Sequence, residues 1–437
     1  MRTVRTRLLS IAALGVLTAL AAGCQRVPTD EGGPAPPVPQ TVELTLFTWV
    51  RAEENAVNEE LLARFEADHP GIKVRIINIT HQAMDKLQTM IAGGEAPDVM
   101  SIHGAFYTPL AAKGALYDLE QLIGRDPSFD LDDIFPRLVE LCRYQGKLYS
   151  LPRYTSVYAL FYNERLFDAA GHPYPATGEG EWDWQAFLKA AQATTQDFDG
   201  DGKTEWGCVI DFWGARLYPW LWQNGADLMN EERTECILDR PEAIRALQFL
   251  WDLRHTWGVT PQTLPAERGM SLQMFMQGKA AMFMSGPWDV QDLKATEGLE
   301  WDVAPLPHKK RRATMLGAEN YAIAADTKHP QEAWELFKFL LSPYAQTVMA
   351  EKREKMPSRV SVATGPYLEA EVGYDRRPFV EAVEYAAMPP NLPEWDKIRH
   401  LIRAEMDLAW IGKMPVAEAC RRATRSVNQA LAKERGS

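Results

Sequence analysis

Residues 42–101 alternate between short strand patterns and amphipathic helix patterns, and this alternation constrains the fold more than any other feature of the chain. The strand patterns lie at 42–49, 72–77 and 97–101, and the helix patterns lie at 54–69 and 84–91. The first helix pattern places Val57, Leu61 and Phe65 on one face. The order strand, helix, strand, helix, strand predicts a parallel sheet with helices on both faces.

The carboxyl ends of parallel strands form the edge at which open α/β sheets bind ligands. Trp49 ends the first strand pattern and His103 follows the third, so both are predicted ligand contacts. Packing within the lobe is the alternative for Trp49, and a structural or merely exposed side chain is the alternative for His103. Glu54, just before the first helix proper, can turn its carboxylate toward the same edge, although the helix dipole alone also favours an acid there.

The chain length predicts more than one core. A chain of 437 residues is too long for one ordinary core, so two lobes of roughly 150–200 residues are expected. Further helix patterns lie at 184–194, 241–256, 330–350 and 398–433. The formal net charge of −12 argues against nucleic acid as a partner, because phosphate binding requires clustered Lys and Arg. The basic run 308–312 is interpreted as a solvated loop, with contact to a partner protein as the alternative.

The N-terminus has the parts of an export signal. Arg2, Arg5 and Arg7 precede an apolar run over 8–20, which is shorter than the ~20 residues of a membrane span. Ala22 and Gly23 then precede Cys24, and this junction resembles the sequence that lipoprotein signal peptidase cleaves. We therefore expect a signal peptide at 1–23, lipidation of Cys24 and a Pro-rich tether over 24–40. An ordinary signal peptide followed by a chance cysteine is the alternative.

The remaining cysteines and one acidic loop raise two further questions. The spacing of the four cysteines after Cys24 fits no zinc site. Cys208 and Cys236 are the nearest pair, and either a disulfide or two buried thiols is consistent with export. Asp197, Asp199 and Asp201 begin like a calcium loop, but Cys208 stands where an EF-hand has its bidentate Glu. Calcium and a solvated acidic turn are the two interpretations, with Glu205 as a partial substitute ligand.

Several motifs in order resemble one family. They are APDVM (96–100), GKLYSLPRYTSVYALFYNERLF (146–167), DGDGKTEWG (199–207), FMQGKAAMFMSGPW (275–288), PQEAWELFKFLLSPYAQ (330–346) and KMPSR (355–359). Together they are similar to extracellular solute-binding proteins for sugars, the maltose-binding-protein family, over nearly the whole chain after the tether. The resemblance implies the type II periplasmic-binding-protein fold. That fold is α/β with two lobes, each a mainly parallel sheet flanked by helices, and it closes on a ligand in the interlobe cleft.

Mapping the resemblance onto this chain implies lobe boundaries. The N-terminal lobe would comprise 41–154 and 306–350, and the C-terminal lobe 155–305 and 351–437. The chain would cross near 153–157 and return near 305–307. The implied protein is a monomer without a cofactor that lies outside the cytoplasm, in the periplasm or on the outer face of the cell membrane. It delivers a sugar to the transmembrane subunits of an ABC permease.

The resemblance also implies ligand contacts. A sugar needs flat aromatic platforms and fixed hydrogen-bonding groups in a crevice that expels water. The family stacks a Trp on its ligand at the position of Trp288, and Glu319 and Asn320 stand in a segment that reaches the ligand. Arg359 lies in the Pro-Ser-Arg match, Tyr158 lies at the expected crossing, and Trp213 precedes a glycine in a loop. Core packing is the alternative for Trp288 and Trp213, hinge packing for Tyr158, and a salt bridge for Arg359.

No catalytic motif competes with binding. The chain lacks His-Glu-x-x-His, Gly-x-Ser-x-Gly and a Walker loop, and its eight histidines are scattered singly. We therefore expect a binding protein and not an enzyme. The alternatives are a binder of glycerol phosphate or another polar anion, clamped by Arg153 or Arg359, and a secreted glycan-processing enzyme.

Overall fold

Two main β-sheets, a two-stranded β4-β5 sheet and the surrounding helices make up the described part of the chain. The structure is a computed structural model and describes residues 41–104, 106–175, 182–198, 200–202, 204–212, 214–262, 269–390, 392 and 394–435. The signal peptide, Cys24, the tether, Asp199 and Trp213 therefore lie outside the described residues.

The strands and helices follow in chain order. The strands are β1 (Val42–Thr48), β2 (Ile72–Asn78), β3 (Val99–His103), β4 (Arg143–Tyr144), β5 (Lys147–Leu148), β6 (Leu151–Val157), β7 (Ala159–Asn163), β8 (Met282–Ser285), β9 (Trp301–Ala304), β10 (Thr314–Ile323), β11 (Met356–Pro357) and β12 (Ala386–Ala387). The helices are α1 (Ala52–Asp68), α2 (Ala83–Ala92), α3 (Tyr107–Ala112), α4 (Glu120–Ile123), α5 (Pro136–Leu141), α6 (Glu164–Ala170), α7 (Trp184–Ala193), α8 (Tyr218–Gln223), α9 (Pro241–His255), α10 (Met270–Met276), α11 (Val290–Lys294), α12 (Pro330–Leu340), α13 (Pro343–Arg353), α14 (Val360–Thr364), α15 (Pro366–Glu369), α16 (Arg377–Ala382), α17 (Trp395–Trp410) and α18 (Val416–Arg435).

The larger sheet has the strand order β11-β6-β10-β3-β1-β2, with β12 beside β10. Strands β1, β2 and β3 are parallel, as the alternating pattern of residues 42–101 predicts. Strand β10 runs antiparallel to both β3 and β6. Hence β6 runs in the direction of β1, β2 and β3. Strand β10 and the two-residue strands β11 and β12 run in the opposite direction.

The smaller sheet corrects one detail of the predicted fold. It has the order β8-β7-β9, and β7 is antiparallel to both neighbours, so this sheet is not mainly parallel. The reason lies in the chain path. Strand β7 enters directly from the larger sheet and opposes β8 and β9, and β10 enters from the smaller sheet and opposes β3 and β6. The two-lobe α/β architecture that the resemblance implies is confirmed.

Two connections join the sheets, and they lie side by side. Strand β6 of the larger sheet is followed by β7 of the smaller one, with Tyr158 alone between them. The return passes through residues 305–313 to β10. The Thr314 hydroxyl at the start of β10 donates a hydrogen bond of 2.7 Å to the Tyr158 carbonyl. The assignment of whole segments to lobes stays a prediction, and β11 joins the larger sheet through β6.

The faces of the smaller sheet pack into different cores. Leu160 and Tyr162 of β7 join a cluster that includes residues of α7, α8, α9, α17 and α18. Ala159 and Phe161 of the same strand join a cluster that continues under the larger sheet. The predicted helix over 398–433 is two helices, because residues 411–415, with Gly412 at φ 74°, separate α17 from α18.

The structure shows whether Cys208 and Cys236 form a disulfide. Cys142, Cys208, Cys236 and Cys420 are buried free thiols, so the buried-thiol alternative describes Cys208 and Cys236. Burial raises the pKa of both thiols, which keeps them protonated and unreactive. Separately, no helix among the described residues is both long and apolar enough to cross a membrane.

Candidate functional site

Trp288 stands as an aromatic platform at the junction of the two sheets. It follows β8 in the 3-10 turn Pro287–Asp289, and it is 39% exposed although most large aromatic side chains nearby are buried. Its ring meets the buried Tyr158 ring edge to face, at 5.2 Å between centroids and 89° between planes. One aromatic partner therefore holds Trp288 while much of its surface faces solvent.

Gly286 allows this ring position. A Cβ atom built on Gly286 would lie 2.3 Å from Cζ3 of Trp288 and 2.7 Å from the Val157 carbonyl oxygen. Real Cβ atoms do not approach other atoms so closely, so any other residue would push the ring away or shift the β6 backbone. The absence of a side chain at Gly286 thus lets the Trp288 indole lie against the Gly286 backbone, next to the end of β6.

A second aromatic group lies at the carboxyl edge of the larger sheet. Trp49 follows β1 and His103 ends β3, and their rings are 6.3 Å apart at an angle of 56°. The Phe106 ring is 6.2 Å from His103 at 85°. Trp49 is half-buried and His103 is exposed. The structure therefore brings together the two residues that the parallel-sheet rule selected.

An ion pair joins the segments that follow the two aromatic groups. Arg51, two residues beyond Trp49, lies 3.7 Å from Asp292, four residues beyond Trp288. The Arg51 charge also reaches the carboxyl of Asp289. The segment that follows Trp49 therefore contacts the segment that follows Trp288.

Glu54 belongs to a buried ion cluster. Its carboxylate accepts hydrogen bonds from Arg153 at 2.8 Å and from the Tyr154 hydroxyl at 2.6 Å. Lys355 lies 2.9 Å from its second oxygen. Burial alone would raise the pKa of Glu54, but the Arg153 and Lys355 charges and the Tyr154 hydrogen bond outweigh it and hold that pKa below its usual range. Glu54 is thus charged, paired and enclosed.

Glu319 joins the same cluster from β10. It lies 3.2 Å from Arg153 and accepts from Ser101 at 2.5 Å. Its second oxygen lies 2.7 Å from the Tyr154 hydroxyl, whose single proton it shares with Glu54. Glu319 pairs across the strands with His103, so both side chains point to one face of the sheet. Its side chain is 11% exposed, and a carboxylate has about four acceptor positions. Glu319 can therefore still accept a hydrogen bond from a ligand hydroxyl.

The ion cluster argues against the alternative in which Arg153 binds an anionic ligand. Two carboxylates, Glu54 and Glu319, surround Arg153, whose side chain is 2% exposed. The guanidinium also lies over the Tyr154 and Tyr321 rings, at 4.4 Å and 5.0 Å from their centroids. Because the positive charge of Arg153 is already matched, the residue is poorly suited to clamp a phosphate.

The structure adds charged residues that the sequence reasoning missed. Arg216 lies 2.9 Å from Asp211, and its guanidinium is 5.7 Å from the Tyr158 ring. Asp289 accepts a hydrogen bond from Ser285, and burial raises the pKa of its carboxyl against the lowering effect of Arg216. The sequence offered one indication that these residues lie near the site, namely their neighbours in the chain. Asp211 and Arg216 lie on either side of a segment that contains Phe-Trp-Gly, and Asp289 directly follows Trp288.

Asn320 and Arg359 lie away from the aromatic groups. Asn320 is 1% exposed, and its amide donates to Ser150 at 3.0 Å on the sheet face opposite Glu319. Arg359 is buried, donates to the Leu341 carbonyl at 2.5 Å and pairs with Asp133 at 2.9 Å. The salt-bridge alternative therefore describes the contacts of Arg359. Neither residue is included in the site proposed below, and Trp213 lies outside the described residues.

The acidic loop has a lysine among its carboxylates. Asp197 accepts from the backbone amides of Gly200 at 2.7 Å and Gly202 at 2.9 Å, as a tight turn requires. Lys279 lies 3.4 Å from Asp201 and 2.5 Å from Glu205. Within the described ranges no group of His, Cys, Asp and Glu side chains could hold a metal ion. These contacts match the acidic-turn interpretation, and Asp199 lies outside the described residues.

Two sheets joined by adjacent strands, with aromatic groups from both beside the junction, define a two-lobe binding protein of the α/β class. The chain belongs to the family of bacterial extracellular solute-binding proteins, which matches residues 60–374. The resemblance inferred from the motifs is therefore confirmed.

Individual relatives extend along most of the chain. A galactooligosaccharide-binding protein of Bacillus subtilis is 23% identical over 362 residues, covering 81% of this chain and 81% of the relative. A maltooligosaccharide ABC transporter solute-binding lipoprotein of Streptococcus pneumoniae is 22% identical over 413 residues, covering 91% of each. The solved structure of an ABC substrate-binding protein from Listeria monocytogenes in complex with cycloalternan has a TM-score of 0.78 and 26% identity, and covers 90% of this chain and 99% of that one.

Proposed function

We propose that the protein is the extracytoplasmic binding component of an ABC importer for an oligosaccharide, and that it closes on its ligand between the two lobes. The names of the Bacillus, Streptococcus and Listeria relatives all refer to oligosaccharides or to ABC substrate binding. The observation that carries the proposal is the exposed Trp288 ring, held over Gly286 by Tyr158 beside a second aromatic group. An aromatic face of this kind stacks on the apolar face of a sugar.

The proposed ligand contacts are fewer than the sequence predicted. Trp288 and Tyr158 form one wall, and Trp49 and His103 form the other. Glu319 supplies a hydrogen-bond acceptor beside His103. The protein acts by binding and takes no part in bond cleavage, and its work is done by lobe closure, since a ligand that contacts both lobes stabilises the closed state.

Titration calorimetry with maltotetraose, a galactotriose and glycerol 3-phosphate tests the ligand class. We expect an oligosaccharide to bind. The bound sugar should also lower the radius of gyration in small-angle scattering, because Tyr158 and the 305–313 connection are short enough to bend as a hinge. The sugars should be recovered intact after incubation.

Each outcome of this test is informative. Binding of glycerol 3-phosphate alone would replace the sugar assignment by the anion alternative, and cleaved oligosaccharide would make the protein an enzyme. A radius of gyration that does not change on confirmed binding would contradict closure while leaving the ligand class intact.

We also propose that Cys24 is the lipidated first residue of the mature protein. The support is the charged n-region, the short apolar run and the Ala-Gly-Cys junction, and the Streptococcus relative is named a lipoprotein. Mass spectrometry of the membrane fraction should find acyl groups on Cys24, and Cys24→Ala should release the protein from the membrane. An unmodified mature chain that begins at another residue would contradict the anchor.

A further inference from the structure

A pocket of 740 Å³ lies beside the segment that connects α8 to α9. Residues between Gly225 and Glu242 form most of its wall, and Arg311 of the return connection, Met388 and Pro390 complete it. Its volume lies within the range of about 300–1,000 Å³ that is typical of small-molecule sites. The aromatic residues of the proposed sugar site do not line this pocket, so it is a separate feature of the molecule.

Met388 connects this pocket with the edge of the larger sheet that carries His103. Met388 lines the pocket and follows β12, which pairs with β10 of the larger sheet. Its terminal methyl carbon lies 3.5 Å from the position that a Cβ atom of Gly104 would take, and Gly104 directly follows His103. The pocket therefore comes within one side chain of the strand end that carries one wall of the proposed sugar site.

Trp222 of α8 holds two sides of the pocket in place. Its carbonyl accepts a hydrogen bond of 2.7 Å from Nε of Arg311, and its indole Nε1 donates to the Asp227 carboxylate at 3.1 Å. Trp222 is itself buried in the core formed with α7, α9 and α17. Both contacts are therefore anchored in well-packed structure.

A tight turn places Arg233 in the wall of the pocket. The side-chain oxygen of Asn230 holds this turn, because it accepts from the backbone amides of Thr234 at 2.6 Å and Glu235 at 2.9 Å. Arg233 has φ 54°, in the left-handed region that residues other than glycine seldom adopt. Backbone strain of this kind is concentrated at ligand sites, where the surrounding structure maintains it. The turn thus has a defined shape before a ligand binds.

The wall of the pocket offers both donors and acceptors to a ligand. Arg233 and Arg240 line it, and neither makes an ion pair or a side-chain hydrogen bond with the residues that the structure describes. The same is true of the carboxylates of Glu231 and Glu232. Two guanidinium groups and two carboxylates are therefore available on one wall.

The remaining acids of the wall are already engaged by the protein. Asp227 accepts from Trp222, as described, and Glu242 pairs with Arg245 at 2.7 Å. The available charges are thus two of each sign, so neither an anion nor a cation has an advantage. A sugar hydroxyl both donates and accepts hydrogen bonds, and it can use guanidinium donors and carboxylate acceptors together. Hydrogen bonds with a charged partner are also stronger than those between neutral groups.

We propose that this pocket binds additional sugar units of an oligosaccharide whose other units contact Trp288, Trp49 and His103. The inference rests on the function proposed above and deepens it, because it assigns the protein a ligand longer than a disaccharide. Arg233 and Arg240 donate hydrogen bonds to hydroxyls of the additional units.

Titration calorimetry of the mature protein with maltose and maltohexaose, and with galactobiose and galactohexaose, tests the inference. We expect the hexasaccharide of the preferred series to bind at least about tenfold more tightly than its disaccharide, because it makes two or more further hydrogen bonds. Arg240→Gln and Arg233→Gly should each weaken hexasaccharide binding about fivefold, as the loss of one hydrogen bond does, and leave disaccharide binding unchanged. Arg233→Gly should not lower the melting temperature, because glycine adopts a positive φ without strain.

Arg421→Gln is the matched control, because Arg421 is an exposed arginine of α18 that does not line the pocket. Equal affinity of the wild type for disaccharide and hexasaccharide would overturn the inference and leave the proposed function intact. The inference also fails if the folded pocket variants bind the hexasaccharide as tightly as the wild type, or if they weaken both sugars equally. A wild type that binds no sugar of either series would instead contradict the proposed function, and the inference with it.

Discussion

Replacing Trp288 by alanine should weaken oligosaccharide binding by about 2–4 kcal/mol, the range found when a central aromatic residue is removed from a desolvated site. In dissociation constants this is a loss of about 30- to 1,000-fold. The expected effect is large because the ring is already 39% exposed before ligand binds. Its removal therefore takes little from the core while it removes the platform itself. Titration calorimetry measures the affinity, and circular dichroism confirms the fold.

Three further variants distinguish the specific loss of the Trp288 ring from a general effect of removing an exposed aromatic side chain. Tyr344 is 48% exposed on α13, so Tyr344→Ala removes a somewhat more exposed aromatic ring elsewhere and should leave affinity unchanged. Trp288→Phe keeps a smaller ring and should lose less affinity than Trp288→Ala. Gly286→Ala should displace the ring, because its Cβ would meet Trp288. If folded Trp288→Ala binds oligosaccharide as tightly as the wild type, Trp288 is not a ligand platform.

The sequence predicted those parts of the fold that depend on neighbours in the chain. Alternation in β1 and the 3.6-residue spacing in α1 are local signals, and both elements occur within about two residues of their expected bounds. Pro343 begins α13 within the predicted pattern over 330–350, and proline is favoured in the first turn of a helix. Each of these outcomes requires information from fewer than about twenty residues of sequence.

The direction of β7 could not be predicted in this way. Its sequence, ALFYN, fits a strand of either direction, because a strand buried on both faces shows no alternation. Direction depends on the path of the chain, and β7 enters the smaller sheet directly from β6. The partners of β7, namely β8 and β9, follow more than a hundred residues later. Only the assembled fold shows that the strand runs against both.

In the candidate site, too, some contacts could be predicted from the sequence and others depend on the assembled fold. Trp49 and His103 were predicted because parallel strands share a carboxyl edge, and the structure places their rings together. The cluster of Glu54 with Arg153 joins residues 99 apart in sequence, and Tyr154 reaches Glu319 across 165 positions. No spacing pattern encodes such contacts.

One signal in the sequence was available and not used. Glu319 and Asn320 are consecutive residues of a strand, and consecutive strand side chains point to opposite faces. The side chains of Glu319 and Asn320 therefore cannot both contact the same ligand. The structure shows the consequence, with Glu319 beside Arg153 and Asn320 bonded to Ser150 on the other face.

Arg153→Met should lower the free energy of unfolding by about 3–5 kcal/mol, because it leaves buried carboxylates without their shared cation. Arg153 is 3% exposed and contacts Glu54 at 2.8 Å and Glu319 at 3.2 Å. Lys355 would remain beside Glu54, but Glu319 would keep only neutral donors from the cluster. Urea denaturation of the mature protein measures the loss.

The matched comparison removes the carboxylates as well. In the triple variant Glu54→Leu, Arg153→Met and Glu319→Leu, Lys355 is 22% exposed and can turn toward solvent, so no buried charge is left unpaired. Apolar replacement of a whole buried ion cluster is often neutral or stabilising, and the triple variant should therefore recover much of the stability that the single variant loses. Arg64→Met, which breaks an exposed pair with Asp68 on α1, should have little effect. A single Arg153→Met variant as stable as the wild type would show that Glu54 and Glu319 do not depend on this arginine for their burial.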